Sequence, residues 1–440
     1  MLCLNRKFII SISYGNSLIK GGGTDKVIRE HEKLFRENRI SFLALFPVAF
    51  FNPLQRQMST VKAWGINLDG SFIGLFSYSN VRDSLIKLCN NGGYCAGIFI
   101  HHLWRVNAEI VKGILDSVDA PVYYYLHDFR AVCNNGNNNL LNKNNVFCGF
   151  GIAHSKCNKN CENFTLMQNY RRAFAEYFHR YENRFTMIAP SESVKNIYSE
   201  AFPEFREHIR MIPHQREVGS VCRESRNPER KLKVAFVGAQ NILKGWNRFK
   251  ELVAYPGMTD IYDFYYMGNG SEKIDSVSAV NVSVQKDGKD AMVNALKSKK
   301  IDIVLLLSCW PETYSYTYFE SYAAGCYIIT MNVSGNIADM IAAKKNGTIV
   351  ASTEELINYF INSDRIKQAV CDFETRCPEF PKELVQNEQI LELVCGTQED
   401  EAETKLHLVG RRWIYEAAYR FINRKKLRRR ERGKASGQNR

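Results

Sequence analysis

The 440-residue chain has no apolar run of the ~18–20 residues that a membrane-spanning helix needs. The best candidate, residues 40–54, is interrupted by Ser41, Pro47, Asn52 and Pro53 and reads as a buried strand followed by a loop. A secretory leader is not expected either. The apolar stretch Phe8-Ile-Ile-Ser-Ile12 is too short, no small-residue cleavage pattern follows it, and its β-branched residues read as the first strand of a sheet. Thirteen cysteines, an odd number scattered over a long chain, do not make the paired framework of a small secreted scaffold. The expectation is a cytoplasmic protein with mostly reduced thiols. Charge of one sign is absent from most of the chain as well. The formal net charge is +13, yet residues 411–440 hold twelve Lys/Arg against two Glu, which leaves only +3 for the first 410 residues. A wholly basic nucleic-acid binder is therefore disfavoured. With 45% hydrophobic and 24% charged residues, the chain has the apolar content for a packed core that disordered chains lack. Its length suits two to three domains of about 150 residues.

What the sequence does have is alternation. Strands are predicted at 8–13, 41–46, 97–101, 122–126, 185–189 and 209–213. Helices are predicted at 25–38, 107–117, 171–181 and 191–202, the first with Val27, Ile28, His31, Leu34 and Phe35 on one face. A polar stretch at 214–230 reads as a linker. The pattern then restarts, with strands at 233–238, 263–268, 303–307 and 327–332 and helices at 246–254, 290–297, 315–324 and 336–343. Two β-α-β series flanking a linker imply an α/β protein of two doubly wound, Rossmann-like domains facing across a cleft. The expected divisions are 1–213, 214–230, 231–400 and a C-terminal helix and basic tail at 401–440. Ligands of such sheets bind at the carboxyl ends of the strands.

The stretch 301–340 carries the clearest chemistry. An apolar strand runs into Ser308-Cys-Trp-Pro-Glu-Thr313, a helix begins near Ser315, and Glu312 and Glu320 stand with seven residues between them. A helix start offers free backbone N–H groups and a positive dipole end, which suit a phosphate. Carboxylates on either side can accept hydrogen bonds from hydroxyl groups. The layout fits a ligand with a diphosphate between two polyols; two ordinary helix-surface acids are the alternative for any isolated Glu pair.

Together with its neighbours, this stretch resembles the retaining GT-B glycosyltransferases of the family-4, group-1 type with the E-x7-E motif. The likeness extends to Val234-Ala-Phe-Val-Gly-Ala-Gln-Asn-Ile-Leu-Lys-Gly-Trp246, Phe264-Tyr-Tyr-Met-Gly-Asn-Gly270, Asn346-Gly347, Gly22-Gly23, Leu126-His-Asp128 and Ala189-Pro-Ser-Glu-Ser-Val-Lys195, in the family's order over roughly 8–350. The resemblance implies that Glu312 holds the donor sugar's hydroxyls and Glu320 the ribose hydroxyls. It implies that N–H groups of Thr313, Tyr314 and Ser315 hold the diphosphate, that Lys244 neutralises it, and that His127 positions the sugar. Gly22, Gly23, Gly238 and Gly268 would line the donor site. No metal or other cofactor is required. Family members often carry an Arg five residues before the lysine; here that position is Ala239, and Lys20 and Arg248 are the nearby cations.

Further signals carry two readings each. His101 and His102 follow a strand on the cleft side, and His102 with Asp128 is a candidate acceptor contact or a structural pair. Cys133, Cys148, Cys157 and Cys161 surround a loop with eight Asn among residues 134–145; they read as a structural zinc site or as reduced thiols. Tyr314, Tyr316 and Tyr318 stack a sugar or pack between domains. In the tail, Leu408, Trp413, Ile414, Ala417, Ala418, Phe421 and Ile422 recur at helix-like spacing ahead of the basic run 424–430. That is an anchor on an anionic membrane, a helix packed on the body, or, less expected, a nucleic-acid contact. The function expected is transfer of a hexose-class sugar from a nucleotide-sugar donor to a glycan or lipid-linked acceptor in surface polysaccharide or lipopolysaccharide synthesis. The expected location is peripheral, on the inner face of the plasma membrane. An epimerase or hydrolase on the same fold, and a non-catalytic membrane or nucleic-acid scaffold, are the alternatives.

Overall fold

The computed structural model describes the chain apart from residues 1, 53–55, 104–105, 134–139, 143, 145, 154–155, 158–160, 162, 223–229, 395–401 and 438–440. Side chains are also not described at 52, 57, 285 and 428–437. Parts of the Asn-rich loop, of the linker and of the basic tail therefore lie outside the described residues.

The two expected sheets are present. The second is six parallel strands in the order Val277–Asn281, Tyr262–Gly268, Leu232–Val237, Ile303–Leu306, Tyr327–Met331, Gly347–Val350. Numbered along the chain, that is the 3-2-1-4-5-6 order of a doubly wound fold, with its switch point between Leu232–Val237 and Ile303–Leu306. In the first sheet the parallel core runs Ser41–Asn52, Lys7–Ile12, Tyr94–Ile100, Val122–Tyr125, Phe185–Ala189, Ile209–Met211. Both sheets are covered on both faces. Separate apolar clusters lie on either side of each, which is why the strands are apolar throughout rather than alternating. Two doubly wound domains face each other, the GT-B arrangement. The first helix (Gly23–Glu37) buries Val27, Ile28, His31, Leu34 and Phe35, the face read from its spacing.

Four sequence expectations need correction. The strand read at 41–46 continues to Asn52. Pro47 is accommodated where the register shifts between Pro47 and Ala49, so its missing N–H breaks no regular pair. This long strand begins an antiparallel extension, Gln57–Leu68 and Ser71–Phe76. Asp69-Gly70, both at positive φ, forms its second turn, and an Asp-Gly turn between two apolar runs is a hairpin signal that the sequence displayed. The stretch read as a polar linker at 214–230 contains the strand Gln215–Cys222, paired antiparallel with Glu379–Gln386. That ribbon is largely exposed, so polar residues occupy it and its composition reads as loop. The helix read at 171–181 is Phe164–His179. Finally, the chain returns to the first domain before residue 400. Ile390 and Val394 pack in its core, Leu393 O accepts from Tyr123 Oη at 2.7 Å, and Pro213 O accepts from Asn387 Nδ2 at 3.0 Å.

The C-terminal helix (Trp413–Gly437) closes the first domain. Ahead of it, Arg412 N–H donates to Leu75 O (2.7 Å), so the segment caps the open edge of strand Ser71–Phe76. Glu416, 3% exposed, fastens the helix there. Its carboxylate accepts two hydrogen bonds from Arg411 (2.7 and 2.8 Å), one from Arg420 (2.8 Å) and one from Leu75 N–H (3.3 Å). Removing the carboxylate leaves two partly exposed guanidiniums and the Leu75 N–H without their shared acceptor. Glu416→Ala is predicted to cost about 1–2 kcal/mol in urea unfolding and to speed proteolysis within 413–427; unchanged stability and cleavage would refute the clamp.

Candidate active site

Lys244 and Glu312 come from the loops after the two strands that flank the switch point of the second sheet. Local geometry drives them together. Gly245 stands at φ +80, and a Cβ there would lie 2.1 Å from Leu307 O, so only glycine lets the Lys244 turn press against the end of the neighbouring strand. Lys244 N–H donates to Asn241 Oδ1 at 2.9 Å. Its ammonium reaches Glu312 Oε1 at 2.6 Å, and Ser308 Oγ donates to the same oxygen at 2.6 Å. The Glu312 backbone is pinned by Glu312 N–H to Ser334 O (3.1 Å) and Asn336 N–H to Glu312 O (3.1 Å). Gly335, at φ +59, permits that approach, since a Cβ would meet Glu312 O at 2.9 Å. Glu312 is 7% exposed, with one carboxylate oxygen gripped and the other not used by these two partners.

Thr313 crosses the cleft. Its Oγ1 donates to His127 O at 2.9 Å, and its own carbonyl accepts from Ser191 Oγ at 2.8 Å. Nearby, Ser193 donates to Asp339 through both its hydroxyl and its backbone N–H. Ser315 caps the following helix (Tyr316–Ala323), accepting from Tyr318 N–H at 3.2 Å. The Ser315 N–H itself donates to Asn336 Oδ1 (3.1 Å) and so is already engaged. Tyr314 packs with His214 and Phe319, and Lys26 of the first domain lies 3.7 Å from the Tyr316 ring centroid. These tyrosines fill the seam between domains. Glu320, 8% exposed, has its carboxyl pushed up by burial, with Lys26 pulling the other way.

In the first domain, Gly22 and Gly23 begin the helix that faces Tyr316; an added Cβ on Gly23 would lie 4.0 Å from that ring. Gly22 N–H donates to Asp25 Oδ2 at 3.0 Å. Gly238 and Gly268 sit where neighbouring strand ends crowd together; a Cβ on Gly268 would meet Gly238 O at 2.6 Å. His102 Nε2 pairs with Asp128 Oδ2 at 2.5 Å, and Tyr14 lies against His102 with ring centroids 5.1 Å apart. Lys20 sits 3.9 Å from the Tyr14 centroid, on the first-domain side. Arg248 reaches toward Leu307 O (3.5 Å), beside the start of the Glu312 loop; the Lys244 loop itself has Ala239 in place of an Arg. Of the two nearby cations, Arg248 is therefore the one on the Lys244 side.

Sequence reasoning missed Ser308, Ser191 and above all a cluster of histidines. His31, His101, His127 and His214 come from four separate elements. His101 Nδ1 and His127 Nε2 are 3.0 Å apart; ring centroids are 5.6 Å apart for His31–His101 and 5.5 Å for His127–His214. No local pattern announces contacts between residues so far apart in sequence. Burial drives all four below the usual histidine range, His31 and His214 to about 3. The cluster is thus neutral at physiological pH.

The four cysteines around the Asn-rich loop are not joined in disulfides. Burial, and secondarily the other thiols, pushes Cys148 and Cys157 up. Among the described residues no three His, Cys, Asp or Glu stand in a metal-holding arrangement.

No family model matches the chain, and no curated protein matches it. Similar solved structures include Anabaena Alr3699/HepE in complex with UDP and glucose, at 11% identity and TM-score 0.49, covering 84% of this chain and 95% of that one. S. aureus TarM in complex with fondaparinux, alpha-GlcNAc-glycerol and UDP is similar at 10% identity and TM-score 0.48, over 88% and 98%. WaaG, a glycosyltransferase involved in lipopolysaccharide biosynthesis, is similar at 10% identity and TM-score 0.46, over 88% and 100%.

The histidines generate a pH prediction. Their folded pKa values lie below the unfolded value of about 6.5, so their stabilising contribution is full above pH 6.5 and is lost as pH falls toward the folded values. Urea unfolding at pH 7.5, 6.5 and 5.5 should show stability falling by about 1.4 kcal/mol per histidine per pH unit below 6.5. His31→Phe should remove one histidine's share of that slope. A flat profile contradicts the neutral cluster.

Proposed function

We propose that the chain is a retaining, metal-independent glycosyltransferase of the family-4 type. It moves a hexose-class sugar from a nucleotide-sugar donor to a glycan or lipid-linked acceptor in surface polysaccharide synthesis. Its place is the inner face of the plasma membrane, with the basic tail on anionic lipid. The observation that carries the catalytic part is the convergence of Lys244, Ser308 and Glu312 at the switch point, facing His127 across the Thr313 tether. Such a point is where doubly wound sheets bind ligands.

The chemistry follows from the geometry. Glu312 keeps one oxygen for sugar hydroxyls while Ser308 and Lys244 hold the other in place. Departure of a nucleoside diphosphate develops negative charge beside the Lys244 ammonium and the start of helix Tyr316–Ala323, and preorganised charge there lowers the barrier. Arg248 supplies the second cation that Ala239 does not. Glu320 accepts from the ribose hydroxyls, and the neutral His127 orients the sugar by a polar contact. With the diphosphate kept on the face it leaves from, it guides the acceptor hydroxyl to that same face, so no side-chain nucleophile is required.

Glu312→Ala and Lys244→Ala should each lower acceptor-dependent turnover by about 100-fold or more; Glu312→Ala should melt near the unaltered chain, whereas Lys244→Ala leaves the buried Glu312 without its cation and should melt lower. Turnover like that of the unaltered chain in either variant rejects the site, and nucleotide release independent of acceptor favours a hydrolase. Donor binding has its own pH signature. Because burial raises the Glu320 carboxyl, affinity should weaken as pH falls through its raised pKa, from above the ordinary carboxylate range. Calorimetry with Glu320→Gln should show weak, pH-independent binding; a pH dependence identical to that of the unaltered chain removes Glu320 from the site.

A further inference from the structure

The C-terminal helix is turned the opposite way from a helix that only covers a sheet. Among its described side chains Glu416, Tyr419 and Leu427 are buried, with Arg420 and Asn423 half-buried beside them. At i, i+3, i+4, i+7 and i+11 these form a single face. That face grips the first domain through the Glu416 clamp and through Tyr419, whose ring packs on Phe46 and Phe72. The opposite face carries Ile414 (86% exposed), Phe421 (70%) and Ile422 (67%), with exposed Ala417 and Ala418 between them and Trp413 (65%) at the near end. Single exposed apolar residues are ordinary, but a continuous stripe along three helical turns marks a contact surface.

The helix is also held from the side: Tyr415 stacks on Phe50 of strand Ser41–Asn52 with centroids 6.0 Å apart. Charge tells what covers this surface. The stripe runs on into exposed Arg424, Lys425 and Lys426. A second copy of the chain would set these cations near their own duplicates. A nucleic acid would satisfy them but leave Ile414, Phe421 and Ile422 in water. A bilayer with anionic headgroups satisfies both, the apolar stripe entering the boundary with the acyl region and the cations the headgroup layer.

We propose that the outward face of the C-terminal helix docks the protein on an anionic membrane surface. This deepens the membrane part of the function proposed above. The contacting residues belong to the helix fastened on the first domain, so docking brings that domain to the bilayer. Among the described residues no helix is long and apolar enough to cross a membrane, and a surface dock needs none.

The test is co-sedimentation of the full chain with phosphatidylcholine vesicles, with and without phosphatidylglycerol, and with Trp fluorescence as a second readout. The full chain should bind the anionic vesicles and shift its emission to the blue. Ile414→Glu/Phe421→Glu should weaken binding by about tenfold or more, without change in melting temperature. Equal vesicle binding by the variants overturns the proposal. So does a dimer that the same substitutions dissociate in a chain without vesicle affinity, or binding to an oligonucleotide but not to vesicles. Turnover with a soluble acceptor analogue should persist in these variants. Failure of docking and failure of the transferase reading are thereby separated.

Discussion

Thr313 is the hinge of the whole arrangement. Its hydroxyl donates to the His127 carbonyl of the first domain, and its own carbonyl receives the Ser191 hydroxyl. Because Thr313 directly follows Glu312, these two bonds set the carboxylate against the first domain. The remaining grips on Glu312 come from the second: Lys244, Ser308, Ser334 and Asn336. The loop that carries Glu312 is thus tied to both domains at once. The aromatic seam of His214, Tyr314 and Tyr316 adds apolar contact to the same junction.

The two sides of the cleft differ in charge. On the second-domain side stand a paired cation and carboxylate at the switch point, and Glu320 further along. The first domain brings histidines held neutral by burial, together with Lys26 near Glu320. Neutral imidazoles contribute hydrogen bonds without adding positive charge. For the proposed donor, the cation nearest the switch point would be Lys244, with Arg248 behind it. On that proposal the leaving diphosphate goes to one place and the sugar stays among polar, uncharged partners.

How much of this was legible depended on whether the signal was local. The strand Ile303–Leu306 and the helix starting after Ser315 announce themselves by an apolar run and a capping residue, so the placement of Glu312 and Glu320 on loop and helix could be read. The buried face of Gly23–Glu37 followed from spacing alone. Partners distant in sequence left no such trace. Strand Gln215–Cys222 is made by its pairing with Glu379–Gln386, and its exposed polar residues look like a loop without that partner. The histidine cluster gathers four elements at once. The tail shows the difference most clearly. Its apolar stripe was visible, but which face meets the body was not, because Glu416 and Tyr419 are buried by distant partners: Arg411, Arg420 and strand Ser71–Phe76 for the carboxylate, Phe46 and Phe72 for the ring. An apolar face suggests burial, and here the clamp and the Tyr419 contacts turn the stripe outward.

The most direct measurement is calorimetric titration of the full chain with uridine, guanosine, adenosine and thymidine diphosphates, each beside its parent nucleoside. A diphosphate site built on Lys244 and the Glu312 loop predicts one-to-one binding of at least one nucleoside diphosphate, much weaker binding of its nucleoside, and a marked loss of affinity in Lys244→Ala. Absence of binding by all four, or binding that Lys244→Ala leaves unchanged, would contradict it.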